Sequence, residues 1–505
     1  MIKSREKKLL IGTIMLTMFG FVGKSLGAVF KIGLTAIVGS YGMGLYQLLF
    51  PVLVFFIVFS SEGFSTALTV RQAEQPNKGR GYFILSILSV AVSSLLSFIM
   101  ILVISEYFSL LQGVEIDKKL YIVVGVGVVI VSLLSVYKAR IRGAELFVAY
   151  SLFETLEDVL KVVFALFLAW ILKPLGMSAS VAGIFLGILL SSFITLVIIC
   201  FYRPKKIVLG KLRLTRDEKS KFFKYSMLSM AAVVVIPAIQ FIESGIIISL
   251  LTNANITSVV ATKLYGISRG SVSAIINLPF FLISSIEVLL LPNLSRSKER
   301  GIYYKKTQFC LFFAIALSTP FVLGFFMFSN EFVDLLYGVS LSSSELLVAS
   351  NLLKMGSLGI VFASLSSFLM VILNSNSKTF APLVANIIGG VAKILFVIFM
   401  TPKISIYAVE LASVLFSMIV CLINLIFALR YKIIKKPKFV VLVVLFWAGV
   451  FMLIKSIYLF FQTHIESNII ALLSAGAIVG VVVFCFMGMI WLLIKKKVIR
   501  TAVKG

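Results

Sequence analysis

Long apolar runs recur along almost the whole chain, and their length decides the fold class. A membrane-spanning helix needs about 20 mostly apolar residues. Fourteen runs reach that length, approximately 9–38, 45–70, 82–104, 120–136, 147–172, 179–201, 225–251, 259–291, 309–328, 346–373, 380–400, 406–429, 439–461 and 469–494. Barrel strands need only about ten alternating residues, and lipid admits no spanning structure other than helices and closed barrels. The sequence therefore reads as an all-α integral membrane protein of about 14 transmembrane helices. Composition agrees: of 505 residues, 60% are hydrophobic and only 13% charged, and the mean hydropathy is +1.11. Soluble domains are nearer half apolar and a quarter charged. A soluble enzyme, a disordered chain and a fibrous repeat are excluded.

The net charge of +27 is distributed in a pattern. Basic segments at 3–8, 71–80, 138–142, 203–224, 296–306, 430–438 and 495–504 alternate with connections that carry almost no cations. Cytoplasmic loops of membrane proteins concentrate Lys and Arg and face anionic lipid, so both termini are expected in the cytoplasm. No basic soluble domain exists to carry nucleic acid binding. The basic start, MIKSREKK, precedes an apolar run without a small-residue cleavage site, which reads as a retained first span. The longest basic loop divides the first six runs from the next six. The expected organisation is an N-terminal lobe over 1–202, a basic linker over 203–224 with a short surface helix or a charged loop at 214–224, a second lobe over 225–430, and two last helices with a basic tail over 431–505. Two lobes in one orientation suggest a parallel repeat about a central cavity. A short echo supports it: Tyr46 opens span two as Tyr265 opens span eight, and 22 residues before each stand Lys24 and Glu243. Those two are expected to face each other across the cavity.

Charges inside the runs carry the functional signal, because each costs about 2.5–3.5 kcal/mol at the bilayer centre. Gly20, Lys24, Gly27 and Lys31 share one face of span one. They read as a cationic wall of a water-filled cavity that receives an anion, against structural pairing or snorkelling by Lys31. Span five carries Glu154, Glu157, Asp158 and Lys161, with Glu157 and Lys161 an i, i+4 pair. Its carboxylates, with Glu62 and Glu243, read as a packing network or as sites of Na+ or H+ coupling. In span eight Lys263 lies on one face and Arg269 on another, where Arg suits bidentate capture of phosphate or an outward interface position. Asn386, Gly390 and Lys393 share a face of span eleven, which reads as close packing with a snorkelling lysine.

Nothing points to catalysis. There is no Walker A motif, no HExxH or GxSxG, no CxxC among the four cysteines, and a single histidine, His464, in a short polar turn. No cofactor or resident metal is implied.

Three stretches resemble the stage V sporulation protein B type of polysaccharide exporter: GFVGKSLGAVFKIGLTAIVGSYGMGLYQLLFPV from Gly20, KLYGISRGSVSAIINLPFFLISSIEVLLLPNLSRS from Lys263 and NSNSKTFAPLVANIIGGVAKILF from Asn374. That family belongs to the multidrug, oligosaccharidyl-lipid and polysaccharide exporter superfamily and is related to the lipid II flippase. The resemblance implies a V-shaped pair of six-helix lobes in a bacterial plasma membrane. It also implies flipping of undecaprenyl-pyrophosphate-linked sugars by alternating access, with cell-envelope synthesis enzymes as partners. Lys24, Lys31, Lys161, Lys263 and Arg269 would then be cavity cations for the pyrophosphate. Two rivals are an ion-coupled exporter of organic cations and a non-transporting scaffold in envelope synthesis.

Overall fold

The structure, a computed structural model, describes residues 2–112, 114, 116–202, 213–280, 283, 300–376 and 378–434; the side chains of 2–22, 24, 111–112, 300–302 and 305–306 lie outside the description. Spans thirteen and fourteen, over 439–461 and 469–494, fall outside it as well. The described residues are helical with short connections. Among the described residues eight helices are long and apolar enough to cross a membrane, or nine if one bent pair counts as a span.

Helix α1 (Ile2–Ile57) runs through a π turn, Val58–Glu62, into α2 (Gly63–Glu74). Its apolar stretch Ser25–Glu74 has 50 residues, about 75 Å of helix, more than twice the ~30 Å hydrocarbon core. The break falls at Gly39, whose φ of 65° and ψ of −173° suit only glycine. It lies between the first two expected spans. Helices α3 (Gly79–Gln112), α4 (Lys118–Gly143), α5 (Phe147–Leu172) and α6 (Met177–Phe201) correspond to spans three to six.

The segment read as either a charged loop or a surface helix is helical. It opens α7 (Arg216–Val233), with a capping box between Thr215 and Glu218 that satisfies two orphan donors. Span seven is completed by α8 (Val235–Thr252). Span eight begins as α9 (Ser258–Tyr265), widens into a π turn at Gly266–Val272 and continues as helix over 273–280. Then follow α10 (Arg300–Met327) and α11 (Ser329–Tyr337). Span ten is the pair α12 (Ser343–Ser357) and α13 (Gly359–Ser375), bent by 40°. Helices α14 (Phe380–Ile404) and α15 (Tyr407–Arg430) match spans eleven and twelve.

Two groups of helices meet along α1. One buried core joins Leu34, Leu48 and Leu49 of α1, Val124 of α4 and Ile184 of α6 to Ile247 of α8, Leu352 of α12 and Val409 of α15. Midway along this seam Phe241 of α8 stacks on Phe55 of α1 at 4.9 Å and on Phe108 of α3 at 4.8 Å.

The seam is shut at both ends. At the end away from the basic loops, α1 crosses α9 so closely that a Cβ on Gly44 would strike the Thr262 carbonyl, and one on Gly266 the Ser40 carbonyl. There Ser40 donates to Glu345 Oε1 at 2.5 Å, and Glu345 also belongs to the capping box of α12. At the basic end α2 crosses α7 where Gly63 meets the Ser226 carbonyl. Phe222 of α7 is buried against Phe64 and Tyr82, and Lys78 pairs with Glu218. At each end, then, the carboxylate that caps a helix of the second group also binds a side chain of the first.

Candidate functional site

Between the two closures lies a cavity of about 360 Å³, within the usual range for ligand sites. Its walls come from α1 (Lys31, Gln47, Phe50, Pro51), α8 (Gln240, Glu243), the α9 π turn and the helix after it (Tyr265, Arg269, Ser273, Asn277), the α12–α13 bend (Gly356, Gly359), α14 (Lys393) and α15 (Glu410, Ser413, Ser417). Glu243, Arg269 and Lys393 stand nine to eleven residues from the helix ends at Thr252, Ser258 and Ile404. At about 1.5 Å per residue this is near the middle of a ~30 Å core.

The π turn organises the charges. A widened turn interrupts the i→i−4 ladder, and such turns occur often at functional sites. The Arg269 carbonyl accepts from Lys31 Nζ at 3.2 Å and from the Ser273 hydroxyl. The Arg269 side chain reaches across the cavity: Nε donates to Glu243 Oε1 at 2.6 Å, and one terminal nitrogen donates to the Ser413 hydroxyl at 3.1 Å and the Val409 carbonyl at 3.4 Å. The other lies 3.9 Å from Glu410 Oε1, which itself accepts from Ser268 at 2.6 Å. Lys393 pairs with Glu243 Oε2 at 2.6 Å. Among the described residues, three cations thus face two carboxylates. Lys31 is the cation held only by neutral acceptors: its second bond goes to Ser273 Oγ at 3.0 Å, and no described carboxylate is within salt-bridge distance.

Of the ten residues singled out in the sequence, Lys31, Arg269 and Glu243 line this cavity. Lys24 lies on α1, and its side chain is outside the described residues. The expected placement of Lys24 opposite Glu243 falls on that undescribed side chain; Arg269 and Lys393 take the two Glu243 oxygens. Lys263 is half exposed, 4.0 Å from Glu345 at the α1–α9 closure, and is not part of the lining.

The span-five group forms a separate cluster in the first half. Here the expected Glu157–Lys161 pair is corrected. Glu157 instead binds Lys138 of α4 and accepts from Ser192 at 2.8 Å, while Lys161 pairs with Asp158 at 2.6 Å. Glu154 accepts from Tyr150 at 2.7 Å, and Glu62 ends the first π turn, in the field of Arg142 and Glu154. Asp158 lies against α1, where a Cβ on Gly23 would come within 2.5 Å of its Oδ2. Glu62, Glu154, Glu157, Asp158 and Lys161 are absent from the cavity lining.

Sequence reading missed two members of the site. Lys393 reads as a snorkelling lysine but is buried, 7% exposed, on the carboxylate of another helix. Glu410 stands three residues inside α15, within the expected span 406–429, and is not among the charges singled out from the sequence. The available signal was the cost of any ionisable group in a span, which makes it a site residue by default. Sequence also gave no sign of Gln47, whose Nε2 is buried on the cavity wall without a described hydrogen-bond partner.

Two helix groups around a charge-lined cavity give the chain the fold seen in the multidrug, oligosaccharidyl-lipid and polysaccharide exporters. Among solved structures the chain is similar to lipid II flippase MurJ in an inward closed conformation, with a TM-score of 0.66, 19% identity, and coverage of 95% of this chain and 98% of that one. It is also similar to an inward-facing multidrug resistance MATE family transporter of the MOP superfamily, with a TM-score of 0.64, 16% identity and coverage of 81% and 94%. A family model described as polysaccharide biosynthesis protein matches residues 9–298, more than half of the chain, and the chain belongs to that family. Two relatives come from Bacillus subtilis (strain 168). Stage V sporulation protein B is 22% identical over 440 residues, 83% of either chain. Lipid II flippase MurJ is 21% identical over 422 residues, 77% of this chain and 76% of the relative.

Proposed function

We propose that the protein flips a lipid-linked oligosaccharide, carried on undecaprenyl pyrophosphate, from the inner to the outer leaflet of a bacterial plasma membrane. The observation that carries this reading is Lys31: an ammonium group at a mid-membrane cavity, beside Arg269 and Lys393, satisfied by neutral oxygens alone. An uncompensated buried cation is costly, and a diphosphate supplies the missing charge through charge-assisted hydrogen bonds. Gln47, Gln240 and Asn277 offer neutral donors and acceptors suited to sugar hydroxyls. The excess of cations disfavours an exporter of organic cations. Family membership and relatives named as a flippase and a sporulation protein support the same reading.

The mechanism is alternating access. The basic end faces the cytoplasm, and the Lys78–Glu218 and Gly63–Ser226 contacts part to admit the headgroup. Rocking of the helix groups then closes that end and opens the Ser40–Glu345 and Gly44–Gly266 contacts at the other. The prenyl chain stays in the bilayer throughout. An inside-negative potential favours outward passage of an anion by about 2.3 kcal/mol per charge per 100 mV, less any compensating movement of protein charge.

Reconstitution tests the proposal. In proteoliposomes the protein is expected to move labelled undecaprenyl-diphosphate sugars between leaflets and to leave the monophosphate-linked and uncharged analogues in place. Equal movement of all three, or of none, overturns it.

A further inference from the structure

The cavity presents a difficulty that follows from its own geometry. Two of its three cations are already occupied. Glu243 is 2% exposed and gives one oxygen to Arg269 and the other to Lys393, each at 2.6 Å. The remaining guanidinium nitrogens face Ser413, Val409 and Glu410. A diphosphate entering this arrangement finds two cations half neutralised and a fixed carboxylate beside its own charge. Carboxylate and phosphate oxygens use the same donors in the same forked geometry, so the two compete for one set of partners.

Resting on the flippase reading above, we infer that Glu243 is a built-in stand-in for the cargo's diphosphate: it holds Arg269 and Lys393 in the empty carrier, and the lipid diphosphate displaces it from them. Lys31, with neutral partners only, is the first contact. Arg269 and Lys393 are then handed from the carboxylate to the phosphate.

Two consequences follow. The empty cavity keeps Arg269 and Lys393 paired, so the carrier can reorient without cargo at a lower cost in buried charge than if those two cations were also unopposed. Release is also assisted, because Glu243 returns to its partners as the diphosphate leaves. A carrier that bound its anion with all three cations unopposed would hold it tightly on both sides, and a ligand bound equally well by two states shifts neither. A merely structural clamp joining α8, the π turn and α14 makes the opposite prediction: loss of the carboxylate loosens the site and weakens anion binding.

The experiment measures affinity for inorganic pyrophosphate by calorimetry, with the full chain in lipid nanodiscs at neutral pH. Glu243→Gln removes the competing charge and keeps the shape, and is expected to tighten binding about tenfold, the equivalent of about 1.4 kcal/mol. In proteoliposomes the same variant lowers KM for the lipid-linked sugar and lowers turnover with it, because release becomes slower. Glu243→Asp keeps the charge but shortens the reach by one methylene, and serves if the glutamine variant does not fold; it is expected to tighten binding by a smaller factor. Pyrophosphate binding by the wild type with unchanged or weaker binding by these variants overturns the inference and leaves the flippase reading intact. No pyrophosphate binding by any form, together with no movement of diphosphate lipids, overturns the flippase reading and this inference with it.

Discussion

Lys31 and Arg269 share a cavity wall and differ in what holds them. Lys31 donates to a carbonyl and a hydroxyl, whereas Arg269 is bracketed by two buried carboxylates. Their truncations should therefore separate. Lys31→Ala removes two hydrogen bonds to neutral groups but also a buried charge without a carboxylate partner, whose desolvation opposes them, and should melt close to wild type while transport is slowed. Arg269→Ala leaves Glu243 with Lys393 alone and takes from Glu410 the guanidinium beside it, and breaking a buried pair costs about 3–5 kcal/mol, so thermal unfolding in detergent should show a large loss of stability as well as of transport. Similar melting of the two variants would contradict the assignment. This contrast was only half legible in the sequence. The three- and four-residue steps of Lys24, Gly27 and Lys31 mark a face of α1, but nothing local tells a lysine that snorkels from one that pairs across the bundle. Lys393 was misread for that reason. Its partner Glu243 lies on another helix, far away in the chain, and only packing brings them together.

The elements set the two closures, and each can be loosened alone. Gly266→Ala introduces a methyl group that meets the Ser40 carbonyl. It should open the end opposite the basic loops, read as faster labelling of a Ser40→Cys reporter than in the unaltered background. At the basic end the hydrogen bond from Lys78, with the Thr215 backbone amide, holds the Glu218 carboxyl below the usual carboxylate range. A lowered value means that this closure is stabilised above the ordinary 4.5 and loses that support as pH falls through the lowered value. With a dipyridyl disulfide, which modifies thiols in acid as well as at neutral pH, labelling of a Ser226→Cys reporter, taken relative to the unfolded chain at the same pH, should stay slow at neutral pH and accelerate in acid; Lys78→Met should make it fast already at neutral pH. Slow labelling in that variant would remove Glu218 from the closure.

At this scale much was readable. Apolar length places α5 to the residue and α6, α14 and α15 to within about a turn, and it stops about two turns short of the ends of α3 and α4. The Gly39 break falls where the sequence left a gap between two spans. The π turns were not readable, because a widened turn has the same composition as the helix around it. Helix α11 was missed because nine amphipathic residues between spans look like a loop; its burial of Val333 and Tyr337 depends on neighbours from elsewhere in the chain.

For the whole molecule, the two capping carboxylates Glu218 and Glu345 sit at opposite ends of one seam and each joins both helix groups. Alternating access requires that they open in turn, so tightening one should favour opening at the other. The alternation of basic and cation-poor loops, legible from the sequence, carries the proposed orientation; the position of the cavity, against α1 and mostly within the second group of helices, came only from the packing. The most direct test of the central claim compares wild type and Lys31→Ala, at matched levels in proteoliposomes, for movement of a labelled undecaprenyl-diphosphate sugar to the opposite leaflet. With one of three cations gone from the anion site, the variant should be slower by at least about tenfold, the equivalent of about 1.4 kcal/mol. Transport by Lys31→Ala at the wild-type rate would show that the diphosphate does not pass through this cavity.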